Sequence, residues 1–576
     1  MNATDFQSFF KSRMIELLDR NTLDSYRVRV NNAHTIVQEL STVIKAWIDG
    51  SIKRFETVQL VIDECCDLLS KDVCMSYDFY DKNLFLESFK EYSTLANRKK
   101  DTPLVDESKR MLFLLEEFLQ RNKSSYMPAL IGRLQDKMFM QGNLPDDKFM
   151  PELEAFDSVV SSFACELLNI GYSKKYLYKY FKAMKENKSD FDFSRAFDQM
   201  KRKYTELQES HYTVVIKLQI FTPRNKPPFE AIERVRKELP PGIAAEVGTY
   251  KSFLRTNRYI YYYIEEVDTY DACVAAKRAY DHLATELDQK QDDVVGSYVH
   301  KTALVLKWDA NKKVCGRSYE KFLELDNGGQ FLQSGENLLS EKMKRIMGLK
   351  DKDAKDRVNA ALRHLRVADS QGEIEQRFIN YWIALEFIFA SSSSSESTYE
   401  RIKTYLVRIM TTCYTKRNWI YLYRRMKQYN LVNEYDCIRE VVNDDDLVDK
   451  IDNVLLKYRI KSVKSHMGHS DKLKKYIQKH RTHLLQHISR IYRLRNELVH
   501  EAALKQDIEN VTSNLRFYLV FVLNQMIEYF SAQTSAEERT MLKFFWQYEK
   551  YEKNTEKSTD KIAAVNQVKI AESYII

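Results

Sequence analysis

Apolar residues recur every three or four positions through the first two hundred residues, for example Ile36, Leu40, Val43 and Ile44, then Met111, Leu112, Leu115 and Phe118. That spacing marks one face of an α-helix and predicts a helical N-terminal region from Ala3 to about Lys201. Gly142 to Pro151, with two prolines and a glycine around Asp146, Asp147 and Lys148, reads as a surface connection inside it. Leu167 to Tyr178 predicts a helix stopped by Gly171 and a following helix capped by Ser173. Around His211 the period shortens towards two. A strand is expected over Tyr212–Phe221, a helix over Pro228–Leu239 and a short strand over Ala244–Tyr250. A stronger strand over Tyr259–Val267, a helix over Tyr270–Leu287 and a strand over Thr302–Trp308 complete a βαββαβ order. That order implies a small ferredoxin-like α+β sandwich. It carries no chemical motif, so bracing or protein contact is its expected work.

From Tyr319 onward helices return. Arg377–Ala390 is an apolar helix carrying one acid, Glu386, and one tryptophan, Trp382, and the run Ser391–Ser395 ends it as a loop. Further helices are expected over Tyr399–Tyr414, Trp419–Tyr429, Asp445–Tyr458, Asp471–Leu498 and Ala503–Ala532. The chain is therefore expected to be mainly α, in four parts. These are a regulatory or sensory helical region (1–205), the central α+β domain (206–312), an all-α C-terminal bundle (313–548) and a charged irregular tail (549–576).

Composition supports this outline without changing it. At 576 residues the chain exceeds one hydrophobic core. Its 14 glycines and 9 prolines leave long stretches without a helix breaker. With 44% hydrophobic and 30% charged residues it reads as a soluble globular protein. The cysteines are scattered without a Cys-x-x-Cys pair, against a disulfide framework or a thiolate zinc site. Asp5, Lys11, Arg13 and Glu16 interrupt the N-terminal apolar positions, and no apolar run approaches the ~18 residues of a membrane helix. A cytoplasmic location and no membrane partner are expected.

Charge does change the picture. Between Leu455 and His500 twelve Lys or Arg face two acids, a net +10 that exceeds the +8 of the whole chain. Lys472, Lys474, Lys475, Lys479, Arg481 and Arg490 form a candidate polyanion-binding surface. The bland reading of such a run is a solvated basic helix face. The run leads into Arg495-Asn496-Glu497-Leu498-Val499-His500. Arg495 offers a permanent planar cation to a phosphate. His500 can take or give a proton near neutral pH, and Asn496 can orient either. Together they suit attack of a ribose 2′-hydroxyl on the adjacent phosphodiester without metal or cofactor, which requires RNA. Five residues at ~100° each set Arg495 and His500 about 140° apart on a continuous helix. Either the helix breaks near Leu498, or the site is composite. The bland alternative is a helix C-terminus carrying His500, with Arg495 in a surface ion pair.

Arg495-Asn496-x3-His500 resembles the R-x4-6-H signature of HEPN ribonucleases. Upstream, Tyr381-Trp382-Ile383-Ala384-Leu385-Glu386 is similar to the first-helix pattern of the Apea-like HEPN branch. Gly171-Tyr172-Ser173 with Tyr176-Leu177 resembles the N-terminal portion of long proteins in that branch. The resemblance implies a HEPN nuclease domain over residues 313–548 and catalysis by Arg495, His500 and Asn496. Two such domains would pair as a homodimer across one cleft. It also implies a restrained effector of anti-phage abortive infection, with RNA as substrate, tRNA or mRNA among the candidates, and a phage-derived trigger or inhibitor protein as partner. Glu386 and Arg493 are expected in supporting roles, Glu386 either as a buried partner of Arg495 or Arg493 or as a polar edge position. A non-catalytic RNA- or nucleotide-binding scaffold and a toxin restrained by a partner are the alternatives. Some HEPN toxins carry a tyrosine two residues after the histidine, where this chain has Ala502.

A rival constellation is His466, His469, His480, His483 and His487. Positions 480, 483 and 487 share a helix face, but no carboxylate joins them and lysines surround them, so no metal site is expected. They are read as an extension of the RNA-facing basic surface.

Overall fold

A computed structural model describes residues 1–19, 31–78, 81–98, 104–186, 193–220, 234–247, 250, 253, 259–288, 297–308, 314–320, 333–371, 373–391, 395–428, 448, 451–467, 470–500, 508–532 and 539–571. The chain is mostly helical with one small antiparallel sheet. It divides into two compact units, Met1–Glu166 together with Leu325–Ile576, and Leu167–Glu324. The division expected at 205/206 and 312/313 is thus corrected. N- and C-terminal helices share one unit, because acids on the former neutralise arginines on the latter, and helices 174–186 and 193–206 belong with the sheet.

In the first unit Asn2 and Asn32 cap the helices Ala3–Leu18 and Ala33–Ile48 through capping boxes. Helices Phe55–Lys71, Lys82–Arg98, Val105–Asn122 and Tyr126–Met138 follow. The C-terminal helices bury Tyr381, Trp382, Leu385 and Phe389 against Leu484, Ile488, Ile491, Leu515 and Leu519. Two expectations give way here. The expected break between Tyr414 and Trp419 is absent, and the chain stays helical from Thr398 through a π-helical turn, Ile402–Leu406, to Gln428. Thr415-Lys416-Arg417-Asn418 contains no breaker. The tail is not irregular, since the helix Met541–Lys557, anchored by buried Phe544, Phe545 and Tyr548, continues into it, Glu552 pairs with Arg408 and Arg481, and the helix Lys561–Gln567 buries Ala564 and Val565. Among the described residues no helix is long and apolar enough to cross a membrane.

In the second unit the strands are β1 (Ser210–Ile220), β2 (Val235–Arg236), β3 (Ile260–Thr269), β4 (Ser297–Trp308) and β5 (Val314–Glu320). Their order is β2-β3-β1-β4-β5 with antiparallel neighbours, and Val215 lies opposite both Ile264 and Leu304. Val214, Ile216 and Leu218 pack on Ala275, Ala279 and Leu283 of the helix Ala272–Asp288. Val215, Leu304 and Leu306 face Val247 and Phe253. β5 was not expected. Residues 228–233 of the expected helix Pro228–Leu239 lie outside the described residues, and Val235–Arg236 is strand. The expected strand Ala244–Tyr250 is replaced by a helix, Pro241–Val247, begun by a proline whose fixed φ suits a first helical position.

Gly171 takes φ +111 at the end of its helix, and Ser173 Oγ accepts from the Tyr176 amide at 3.2 Å. The aromatic, basic stretch that follows is a packed cluster. Lys203 Nζ lies 4.4 Å from the Tyr176 ring centre and 5.3–5.5 Å from those of Tyr180, Tyr172 and Tyr204. Burial, with Lys307 nearby, pushes the Lys203 amine down to about 8.

Candidate RNA-cleavage site

The helix Ser470–His500 runs 31 residues without glycine or proline. Leu473, His480, Leu484, Ile488, Ile491 and Leu498 form its buried stripe. It is unbroken through Leu498 and His500 is its last residue, so the positions of Arg495 and His500 diverge as a continuous helix requires. Of the two expectations, a break near Leu498 or a composite site, the break is absent. His500 follows Asn496 by four residues, about one turn; its side chain lies outside the described residues, as do Ala502 and His469.

Helix Ile374–Phe389 meets this end of the long helix. Trp382, 1% exposed, donates from Nε1 to Glu386 Oε1 at 2.6 Å, one turn along. Arg495 Nη2 lies 3.9 Å from the same oxygen, and Arg495 Nη1 donates to Asn496 Oδ1 at 3.3 Å. Arg495 keeps 26% of its side chain exposed and Glu386 34%. Glu386 combines the two readings, since it lies near Arg495 but at a partly exposed edge and not as a buried partner. Tyr492, one turn before Asn496, stacks on Tyr399 at 3.8 Å between ring centres and lies 5.8 Å from Trp382. These rings brace the turn that carries Arg495.

Arg493 supports a different structure. It pairs with Glu39, and Arg490 donates from Nε to both Glu39 oxygens, at 3.0 and 2.9 Å, and from Nη2 to Glu64 at 2.8 Å. Burial works to raise the Glu39 carboxyl and the two arginines overcome it, so its pKa is lowered. Burial prevails at Glu64, whose pKa is raised. Arg490 is therefore removed from the expected basic surface, because two acids and the packing hold it inside. Arg481 is half-buried and pairs with Glu552. Lys472, Lys474, Lys475 and Lys479 are exposed along the first turns of the helix.

Two of the five histidines, His480 and His487, do not extend that surface. His487 is fully buried, its Nδ1 2.9 Å from the Tyr518 hydroxyl, and burial with the nearby Arg490 charge pushes its pKa down to about 3. His480 is buried against the Tyr414 ring, 3.4 Å between centres, and His466 Nδ1 approaches the Ser462 carbonyl at 2.6 Å. Among the described residues no group of three His, Cys, Asp or Glu is arranged to hold a metal. The pairing of Glu39 and Glu64 with Arg490 was not visible in the sequence, since more than four hundred residues separate the partners. Its only local signal was that both arginines border the apolar stripe. Comparison of the chain with protein-family models, with curated proteins and with solved structures finds no match.

Proposed function

We propose that this protein is a metal-independent endoribonuclease of the HEPN type. Arg495 binds the scissile phosphate, and His500 serves as general acid or base with Asn496 orienting. The reading rests on the resemblance and on one observation above all. Arg495 sits at the end of a long basic helix, partly exposed, with its guanidinium aimed by Glu386 and Asn496. Lys472, Lys474, Lys475 and Lys479 would guide RNA along the same helix. The 2′-hydroxyl displaces the 5′-oxygen, leaving a 2′,3′-cyclic phosphate and a 5′-hydroxyl. With Arg495 and His500 divergent on one helix, a homodimer in which two copies face one cleft supplies acid and base together. The sheet unit, whose order β2-β3-β1-β4 suits a ferredoxin-like βαββαβ domain with β5 added at the edge, would act in control. Abortive infection is the proposed setting.

The test incubates purified protein with total RNA in EDTA and maps the product ends. Cyclic-phosphate ends are expected from the parent, with a loss of at least about 100-fold for Arg495→Ala and for His500→Ala. Undiminished cutting by His500→Ala refutes the assignment. RNA binding without cleavage selects the scaffold reading, and loss of cutting in EDTA points to a metal.

A further inference from the structure

Arg417, on the helix Val407–Gln428, is the buried cation that the proposed site does not use. It is 8% exposed, and neither Nε nor Nη1 has a hydrogen-bond partner. Its guanidinium lies 5.2 and 5.1 Å from the ring centres of Phe517 and Phe521. The groups that act on it besides burial are Cys413, Tyr414, Tyr518 and Tyr476. Among the described residues no carboxylate pairs with it. Arg13, Arg490, Arg493 and Arg516 of this unit each pair with an acid, on Glu16, Glu39, Glu39 and Asp369, and buried Arg377 donates from Nε to the Gln371 carbonyl at 2.7 Å.

A buried charge without a counter-charge is costly, and two phenyl faces offset only part of that cost. Among the described residues the surroundings supply hydroxyl groups and no carboxylate. Tyr518 bonds His487, Tyr414 stacks on His480, and Tyr476 accepts from Asn418 Nδ2 at 3.1 Å. Among the described residues this interior shows no oxyanion to accept from the guanidinium fork. We infer that Arg417 is the anchor of a second ligand site in the helical unit, which takes the phosphate group of a small molecule. A phosphate accepts two parallel N–H bonds from arginine and has further oxygens for the tyrosine hydroxyls. The site stands apart from Arg495 and does not depend on the ribonuclease reading.

The experiment uses the full-length protein, with melting followed by fluorescence and binding by titration calorimetry. Inorganic phosphate and AMP are added at ionic strength held constant with chloride, beside acetate. Either phosphate probe is expected to raise the parent's melting temperature saturably by about 3 °C. Arg495→Ala should keep that response. Arg417→Met should weaken binding at least tenfold, yet melt at or above the parent without ligand, because it removes an unpaired charge. Arg417→Lys keeps the charge without the fork and should bind more weakly than the parent. The inference is overturned if neither probe shifts the parent, if Arg417→Met responds as the parent does, or if acetate matches phosphate. It is overturned equally if Arg417→Met and Arg417→Lys both melt well below the parent, since Arg417 would then be structural.

Discussion

Glu39 is a carboxylate whose removal should cost the helical unit heavily. It accepts from Arg490 at 3.0 and 2.9 Å, from Asn31 at 2.5 Å and from Arg493, with only 17% of its side chain exposed. In Glu39→Ala, Arg490 keeps Glu64 while Arg493 loses its carboxylate in a place where it is 9% exposed. Breaking a buried pair by deleting one partner costs about 3–5 kcal/mol, mostly because the remaining charge stays desolvated. Glu64→Gln should cost less, about 1–2 kcal/mol, since burial already disfavours its charge and Glu39 still covers both arginines. Urea unfolding followed by tryptophan fluorescence reads the difference, with circular dichroism as a second probe for coincidence of the transitions. Replacing Glu39, Glu64, Arg490 and Arg493 together by apolar residues should recover most of the loss, since no buried charge of the cluster is then left unpaired. A cost below about 1 kcal/mol for Glu39→Ala, the range of exposed ion pairs, refutes the reasoning.

Acid should destabilise the helical unit in two windows. Burial acts to raise the Glu16 carboxyl, but Arg459 and Arg13 bring it from 4.5 to about 2. The unfolded chain therefore binds the extra proton first. Stability from Glu16 is present above pH 4.5 and lost as pH falls towards 2. His487, lowered by burial from 6.5 to about 3, contributes stability present above pH 6.5 and lost on the way down. Urea midpoints against pH should show both windows, and Glu16→Gln should flatten the lower one. Replacing Lys472, Lys474, Lys475 and Lys479 by Gln should reduce the salt dependence of RNA binding, by up to about 3 in log–log slope, with no change in melting. Arg490→Met should do the reverse, losing stability while the folded fraction binds RNA with unchanged affinity.

Residue spacing made the helices and most strands legible because amphipathic periodicity is a local property. The Gly171 and Ser173 boundary was legible for the same reason, with a left-handed φ and a side-chain cap read from adjacent residues. Errors fell where tertiary burial overrides composition. The charged tail continues a helix whose aromatic residues just before it reach the core, and the strand expected near Ala244 became a helix after Pro241. At the candidate site the motif Arg495 to His500 and the Trp382/Glu386 helix were visible in the chain, but the approach of Glu386 to Arg495 was not.

By itself the sequence determined a mainly helical chain with one small sheet, a basic helix, and the side chains Arg495, Asn496 and His500 on which the proposal rests. Tertiary structure alone decided which of those charges remain available. Arg490, Arg493 and Arg495 lie on one helix within six residues, yet the first two are neutralised by acids from distant helices and only the third keeps an open edge. The +10 of the basic run is a sum over residues and fixed by the chain. The field it presents depends on desolvation and on partners hundreds of residues away, which only folding brings within hydrogen-bond distance.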